Sequence, residues 1–276
     1  MLCKDLCYIV LRYKNNTWYS PGLVQRLTPQ YDTVKMYHQY NEKLLTYIKK
    51  CPWVKKLYMR FVYPKDMSAI AQLTQLEELY INDNDIQDIS CLSQMKNLRI
   101  LNITSNSISD INPLAFLTNI QSLCISNNYI HDLSVLSNLT ALQDLTIARN
   151  QITDLSSLSY LTKLKTLNIS DNRIVSIVPL KHLKNLTELL ANNNKIQDIS
   201  ILSSNTNLTA LYLRNNKIRN IKGLSQLTDL KTLCISGNNI QDISPICNLH
   251  NLKTLLINHD HRNIKQVLLN CKVILK

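Results

Sequence analysis

The sequence predicts an α/β solenoid with one parallel β-sheet and with short 3-10 helices or turns on the opposite side. Three observations predict this fold class. An asparagine recurs every 22 residues, an apolar pattern of the type L-x-x-L-x-I-x-x-N leads to it, with another apolar residue at one position in three coils, and further apolar residues follow it. A fixed period of this length is typical of stacked repeats, since no single repeat can bury its apolar face alone. The asparagines are Asn84, Asn106, Asn128, Asn150, Asn172, Asn194, Asn216 and Asn238.

Each 22-residue repeat, called a coil below, begins with a short predicted strand. In the coil from Leu98 to Asn119, Leu101 and Ile103 are expected to point inward and Asn102 outward. This alternation is typical of a strand with one buried face. Asn106 then lies where the chain leaves the strand. Its amide can both donate and accept, so we expect it to pair the turning backbone of its own coil and of the next.

The second half of each coil returns the chain behind the sheet. Ile108, Ile111, Leu114 and Leu117 are expected to fill the core from that side. A short acidic residue precedes each predicted helical turn in six coils, and we interpret it as a cap for the free N–H groups there. A row of acids is also compatible with cation binding, and that alternative stays open. The six residues are Asp88, Asp110, Asp132, Asp154, Asp198 and Asp242.

The repeat array is predicted to span residues 54–260, with regular repeats over 76–251. Residues 1–53 form an N-terminal flank, and residues 261–276 form a C-terminal cap. The first coil keeps Leu57 and Met59 but has Val62 at the asparagine position, and the last coil has Asp260 there. Irregular terminal coils are expected, because they must close the core against water.

The N-terminal flank is predicted to contain a strand from Leu6 to Tyr13 and then a helix. Thr28 and Pro29 form a good helix start, and apolar residues recur at helical spacing from Val34 to Ile48. The favoured interpretation is a helix that covers the open edge of the array, and the alternative is a separate docking helix. We expect Ile264 to Leu275 to cover the other edge.

The coils resemble the 22-residue leucine-rich repeats of two protein groups. The segments Ile108 to Asn119 (ISDINPLAFLTN) and Ile240 to Asn251 (IQDISPICNLHN) are similar to coils of bacterial internalins. The regulatory-subunit family of type 1 protein phosphatase uses the same coil length. The resemblance covers about residues 54–260 and implies a leucine-rich-repeat arc, a binding scaffold whose concave sheet contacts a partner protein.

Composition adds expectations about location. Met1 to Lys14 lacks the long apolar run of a signal peptide, and no stretch approaches a membrane span, so we expect a cytoplasmic protein. The eight cysteines are scattered without a C-x-x-C pair, which favours a reducing compartment. The net charge of +12 divides into +5 for residues 1–53, +3 for 54–251 and +4 for 252–276. Basic flanks suggest binding of nucleic acid or anionic membrane, although solvated surface is the simpler interpretation.

Outward strand positions would line the concave face. Tyrosine and arginine are common interface anchors, whereas small polar residues mostly supply complementarity. The alternative interpretation of this face is solvated strand surface. The predicted partner-binding residues are Tyr58, Arg60, Tyr80, Asp144, Arg149, Glu188, Leu190, Tyr212 and Arg214.

We expect no enzymatic activity, no cofactor, no metal and no small-molecule substrate. Three glycines cannot form a glycine-rich phosphate loop, and His259 and His261 beside Asp260 are a weak metal signal without further ligands. The predicted function is therefore that of a monomeric protein-interaction scaffold, with a phosphatase catalytic subunit as one partner class. The alternatives are a surface or secreted adhesin of the internalin type and a basic-flank binder of nucleic acid or anionic membrane.

Overall fold

The structure is a computed structural model. It describes residues 8–13, 18–19, 31–37, 48–49, 51–62, 67–257 and 274–275. The chain divides into two compact units, unit 1 (Met1–Tyr129) and unit 2 (Ile130–Lys276), and each is described by itself.

Unit 1 contains a sheet in which each coil contributes one strand. From β3 to β7 neighbouring strands are parallel and follow chain order, while β1 pairs antiparallel with both β3 and β2. A short α-helix, α1, spans Ser68–Ala71. The strands are β1 Tyr8–Tyr13, β2 Trp18–Tyr19, β3 Tyr31–Tyr37, β4 Lys56–Arg60, β5 Glu78–Tyr80, β6 Ile100–Asn102 and β7 Ser122–Cys124.

Unit 2 continues the same pattern with parallel strands in chain order. Equivalent residues of successive coils face each other, so Leu189 pairs with Leu167 on one side and Leu211 on the other. The strands are β8 Asp144–Thr146, β9 Thr166–Asn168, β10 Glu188–Leu190, β11 Ala210–Tyr212, β12 Thr232–Cys234, β13 Thr254–Leu256 and β14 Ile274–Leu275.

Short 3-10 helices form the return half of the coils, as predicted. Their hydrogen bonds join residues three apart, as between the Leu92 N–H and the Ile89 carbonyl at 2.9 Å. In unit 1 they span Ser90–Gln94 and Asn112–Phe116. In unit 2 they span Ser134–Asn138, Ser156–Tyr160, Val178–His182, Ser200–Ser204, Lys222–Gln226 and Ser244–Asn248.

The predicted aspartate caps are present at the start of these helices. The Oδ1 atom of Asp88 accepts the Ser90 N–H at 2.7 Å, and Asp242 accepts the Ser244 N–H at 2.8 Å. These backbone bonds, followed by bonds from the serine hydroxyls, lower the pKa of Asp132 and Asp242 below the usual value of an aspartate. The row of acids therefore closes helical turns.

The recurring asparagines form the buried ladder that the sequence predicts, but they bond to the preceding coil and not to the following one. Asn106 donates to the carbonyls of Ile103 in its own coil and Ile81 in the preceding coil, both at 3.0 Å. Its Oδ1 accepts the Ile86 N–H at 3.1 Å, again from the preceding coil. The expectation of a bond to the following coil is wrong, because the amide lies nearest to the strand end and the turn behind it. Each asparagine thus joins two coils through their backbones.

A backbone turn with positive φ precedes each ladder asparagine. Ser105 has a φ of 56°, Asn193 of 55° and Gly237 of 70°. This left-handed conformation is costly for most residues and is best tolerated by glycine, asparagine and aspartate. Three coils place asparagine at this position, namely Asn127, Asn193 and Asn215, which fits the requirement.

The helix that the sequence predicts after Thr28 is wrong for residues 31–37, which the structure describes. Tyr31–Tyr37 forms β3, which pairs residue for residue with β4. Thr33 and Val34 are β-branched and buried, and such residues favour a strand that packs against a core. Ile48 is helical and buried, while Thr28, Pro29, Leu44 and Leu45 lie outside the described residues, as do Asp260 and its neighbouring histidines.

Candidate functional site

The outward strand positions form a continuous face in each unit, here called the sheet face. In unit 1 its centre column runs through Lys35, Tyr58, Tyr80, Asn102 and Cys124, each paired with the next across adjacent strands. In unit 2 the column runs through Thr146, Asn168, Leu190, Tyr212, Cys234 and Leu256. The expectation that outward strand positions such as Asn102 line one face is therefore correct.

Two tyrosines stack on the sheet face of unit 1. The rings of Tyr58 and Tyr80 lie 4.3 Å apart between centroids and only 4° from parallel. The Lys35 ammonium lies 4.7 Å from the centroid of the Tyr58 ring, at a distance typical of a cation–π interaction. The strand register explains the stack, because directly paired residues on one face of a sheet lie about 5 Å apart.

Polar contacts hold this stack in place. The Tyr80 hydroxyl donates to Oε2 of Glu78 at 3.3 Å, and the Glu78 Oε1 atom forms a 2.6 Å ion pair with Lys56. Burial, followed by the nearby Tyr58 and Glu78, raises the pKa of Tyr80 well above its usual value. Tyr80 therefore stays a neutral hydrogen-bond donor at physiological pH.

Arg60 is also held on the sheet face of unit 1. Its Nε donates to Oδ2 of Asp83 at 2.7 Å, and its guanidinium carbon lies 4.9 Å from the centroid of the Phe61 ring. Asn82 donates to the same Asp83 oxygen at 2.7 Å. Tyr58, Arg60 and Tyr80 thus form one group on adjacent strands.

The sheet face of unit 2 carries a second group around Tyr212. Tyr212 pairs with Leu190 on one side and with Cys234 on the other, and Cys234 pairs in turn with Leu256. Cys234 is a free thiol and is only 4% exposed, since larger side chains flank it. Arg214 is exposed, and its backbone N–H donates to Oδ1 of Asn192 at 2.8 Å.

The three remaining predicted residues lie at the margins of this face. Asp144 and Glu188 occupy the same column and are separated by Thr166, which pairs with both. Arg149 occupies a positive-φ turn, is 71% exposed at its side chain, and lies 3.8 Å from Asp171 through its Nε. Asp144 and Arg149 thus belong to the coil of β8, three strands from Tyr212, whereas Glu188 lies on β10, next to the strand of Tyr212.

Sequence reasoning missed a second row of asparagines. Each donates through Nδ2 to a carbonyl 23 residues earlier, as Asn185 does to Thr162 at 2.8 Å and Asn207 to Lys184 at 2.7 Å. The row occupies the exposed side of the coils, in the loop before each strand. Its 22-residue spacing was the available signal. The members are Asn97, Asn119, Asn185, Asn207 and Asn251.

The described residues give no sign of a metal or membrane-spanning site. They contain no group of three or more histidine, cysteine, aspartate or glutamate side chains able to hold a metal ion. Within the same residues, no helix has the length and apolar character needed to cross a bilayer. The surface hollows are open to solvent, for example one of about 590 Å³ in unit 1 that Asp85, Asp88 and Cys91 help to line.

Comparisons with known proteins agree with this architecture. A family model described as leucine rich repeats in two copies matches residues 74–115, 118–160, 162–204 and 206–240. No curated protein sequence matches at a significant level. Among solved structures, the internalin InlF of Listeria monocytogenes is 30% identical, with a TM-score of 0.74, and the match covers 94% of this chain and 83% of that one.

Two further structures are similar. Internalin C2 of Listeria monocytogenes is 32% identical, with a TM-score of 0.65 and coverage of 68% of this chain and 83% of its own. A leucine-rich-repeat protein of Leptospira interrogans is 25% identical, with a TM-score of 0.75. That match covers 83% of this chain and 62% of the Leptospira protein.

Proposed function

Because the chain belongs to the leucine-rich-repeat family, we propose that it is a protein-interaction scaffold that holds a partner protein on its sheet face. The observation that carries this proposal is the Tyr58–Tyr80 stack, an ordered aromatic group on a face that is otherwise mostly small and polar. Large, rigid aromatic side chains are frequent hot spots of protein interfaces, since little conformational entropy is lost when they bind.

The contacts around the stack prepare it for binding. Lys35 on one ring and Glu78 on the Tyr80 hydroxyl fix both tyrosines before a partner arrives. The next residues of the column, Asn102 and Cys124, have shorter side chains. A partner side chain can therefore contact the Tyr80 ring from that side of the face.

Tyr212 and Arg214 supply the second proposed anchor. Tyr212 has apolar Leu190 beside it, and Arg214 is exposed two residues further along the chain. A tyrosine beside a leucine combines apolar area with a polar hydroxyl, which suits a contact that is partly wet. We assign Asp144, Arg149 and Glu188 to the rim of this contact.

The experiment first identifies a partner by affinity capture and mass spectrometry, and then measures its affinity as a purified protein. The test variant changes Tyr80, Tyr212 and Arg214 to alanine. The control changes exposed Tyr129, Tyr160 and Lys96 to alanine, which removes two tyrosines and one positive charge away from the sheet face. We expect the test variant to lose at least about 100-fold in affinity, as truncated hot spots do. A partner bound equally well by both variants would place the contact elsewhere.

The partner class is a finer proposal. The 22-residue coil length supports a phosphatase catalytic subunit as one partner. In this proposal the chain is a monomeric regulatory subunit in the cytoplasm, and it has no catalytic activity of its own. The 30% identity to an internalin over 94% of the chain supports, as a second candidate function, a surface or secreted adhesin. Detection of the protein only in cytosolic fractions would remove the adhesin, and detection only outside the cytosol would remove the regulatory subunit.

Binding of nucleic acid or anionic membrane through the basic flanks is the third candidate. The net charges of the flanks support it. Such binding would fall steeply as salt is added, because it depends on counterion release. Retention on a polyanion column that is absent or independent of salt would exclude it.

A further inference from the structure

The positive charge of the repeats is concentrated in one part of unit 2. Residues 173–222 contain eight lysines or arginines and two acids, which gives this segment a net charge of +6. Residues 67–129 contain two basic and six acidic residues, which gives −4. The small net charge of the whole array therefore hides a strongly basic segment.

Three of these basic residues form a row, here called the basic stripe, which consists of Arg173, Lys195 and Lys217. They occupy the same position in three successive coils, and all three are exposed. Their backbone N–H groups donate to carbonyls of the preceding coil at 2.9, 2.8 and 2.9 Å. These bonds place the stripe residues one coil apart, a spacing of about 4.8 Å.

The backbone of the stripe is rigid. Each stripe residue follows a buried ladder asparagine and precedes a buried isoleucine, as Lys195 lies between Asn194 and Ile196. The Ile196 N–H is in turn bound by Oδ1 of Asn216 at 3.0 Å. Only the charged side chains are left free to adapt to a ligand.

The side chains of the stripe form no ion pairs within the described residues. The nearest acids along the chain are engaged, since Asp171 accepts from Asn193 at 2.7 Å and Asp198 from the Ser200 N–H at 2.8 Å. The three positive side chains lie in the turns after successive strands, where like charges one coil apart repel each other, so an anionic ligand would relieve a cost that the free protein carries.

A shallow hollow lies beside one end of the stripe. Lys217 and Arg219 line it together with Gln197, Asp198 and Asn239, and its volume is about 520 Å³. Arg219 also lines two neighbouring hollows of about 690 and 550 Å³. The hollow adds a fourth cation and amide donors next to the row.

We propose that the basic stripe binds an extended acidic segment of a partner protein, and this inference rests on the proposed scaffold function. A row one residue wide and about 10 Å long, at the coil spacing, fits a single extended chain. Single-stranded nucleic acid is bound through aromatic stacking as well as charge. The three residues of the stripe and the described residues that line the hollow include no aromatic side chain, so carboxylates are the favoured ligand.

The test uses the full chain and a fluorescent peptide of alternating glutamate and serine, with binding followed by fluorescence anisotropy at low salt. The stripe variant carries Arg173→Gln, Lys195→Gln and Lys217→Gln. The control carries Lys163→Gln, Lys231→Gln and Lys253→Gln, which lie at exposed positions outside the stripe and remove the same charge. We expect the stripe variant to bind about tenfold more weakly, because each exposed ion pair contributes a factor of about two.

Equal weakening in both variants would overturn the inference, since it would show an effect of net charge alone. Stronger binding of an oligothymidylate with the same number of charges, lost in the stripe variant, would also overturn it and indicate a nucleic-acid site. Absence of peptide binding would exclude acidic recognition. In that case the scaffold function would still stand if the sheet-face variant loses its purified partner, so the two failures can be distinguished.

Discussion

At the scale of single residues, Asn205 occupies a position where neighbouring coils place leucine. It is fully buried and donates to the carbonyls of Leu180 and Leu183 at 3.1 and 2.9 Å. Its Oδ1 atom has no hydrogen-bond partner among the described residues. Both carbonyls already accept backbone N–H groups. They would therefore keep a hydrogen bond if leucine replaced Asn205.

We therefore predict that Asn205→Leu stabilises the protein by about 1–2 kcal/mol, because it removes a buried unsatisfied acceptor. Urea denaturation would measure the change in the free energy of unfolding. The reverse substitution in the next coil, Leu227→Asn, serves as the control and should destabilise. A loss of stability in Asn205→Leu would show that its two hydrogen bonds outweigh the orphaned oxygen.

Tyr80 gives a prediction on pH. Its pKa is raised in the folded protein above the usual value near 10, so the folded state binds this proton more tightly than the unfolded state. The stabilisation from this proton is complete below the pKa of Tyr80 in the unfolded state. It is lost as the pH rises from that value toward the pKa of Tyr80 in the folded state. We expect Tyr80→Phe to lose less stability than the native protein as pH rises above about 10. Parallel urea titrations would test this, and identical pH dependence would refute it.

At the scale of elements, the two asparagine rows have unequal roles. Asn172 is buried and donates to the carbonyls of Ile147, Ile169 and Ser170 at 3.0 to 3.1 Å, while its Oδ1 accepts the Ile152 N–H. Asn185, from the second row, is exposed and donates to one carbonyl. Water can replace the bond of Asn185 but cannot reach the groups around Asn172.

We predict that Asn172→Ala lowers the free energy of unfolding by at least about 1–3 kcal/mol, because buried backbone groups lose their partners. Asn185→Ala is the matched control and should cost no more than about 0.5 kcal/mol, as is usual for surface changes. Chemical denaturation of both variants would compare them. Similar costs would mean that the buried ladder does not join the coils as its geometry indicates.

The flanks show where prediction from periodicity fails. Val34 and Tyr37 are three residues apart, which suits a helix, but the same segment pairs with β4 as a strand. The edge of β4 was available for hydrogen bonding, and pairing with that edge outweighed the helical spacing of the apolar residues. We propose that β1 to β3 and β14 close the two ends of the array, as sheet edges need to be covered.

At the scale of the whole molecule, the chain combines a uniform scaffold with an uneven surface. The buried positions repeat with little change, whereas the outward columns differ from coil to coil. The tyrosine stack, the Tyr212 group and the basic stripe all arise from substitutions that leave the buried positions intact. The buried positions determine the fold and the outward positions determine the surface. Membership of the family therefore predicts that a protein is bound, while individual exposed residues must define which protein it is.

The sequence by itself determined the coil length, the strand columns, the buried asparagine ladder and the aspartate caps, because a 22-residue period assigns every position once one coil is understood. Only the tertiary structure decided that Tyr58 and Tyr80 stack, that Cys234 is buried in an outward column, and that Tyr31–Tyr37 is a strand. These features depend on neighbouring coils and on side-chain packing. A periodic pattern aligns residues into columns, but it does not specify how side chains in a column contact one another.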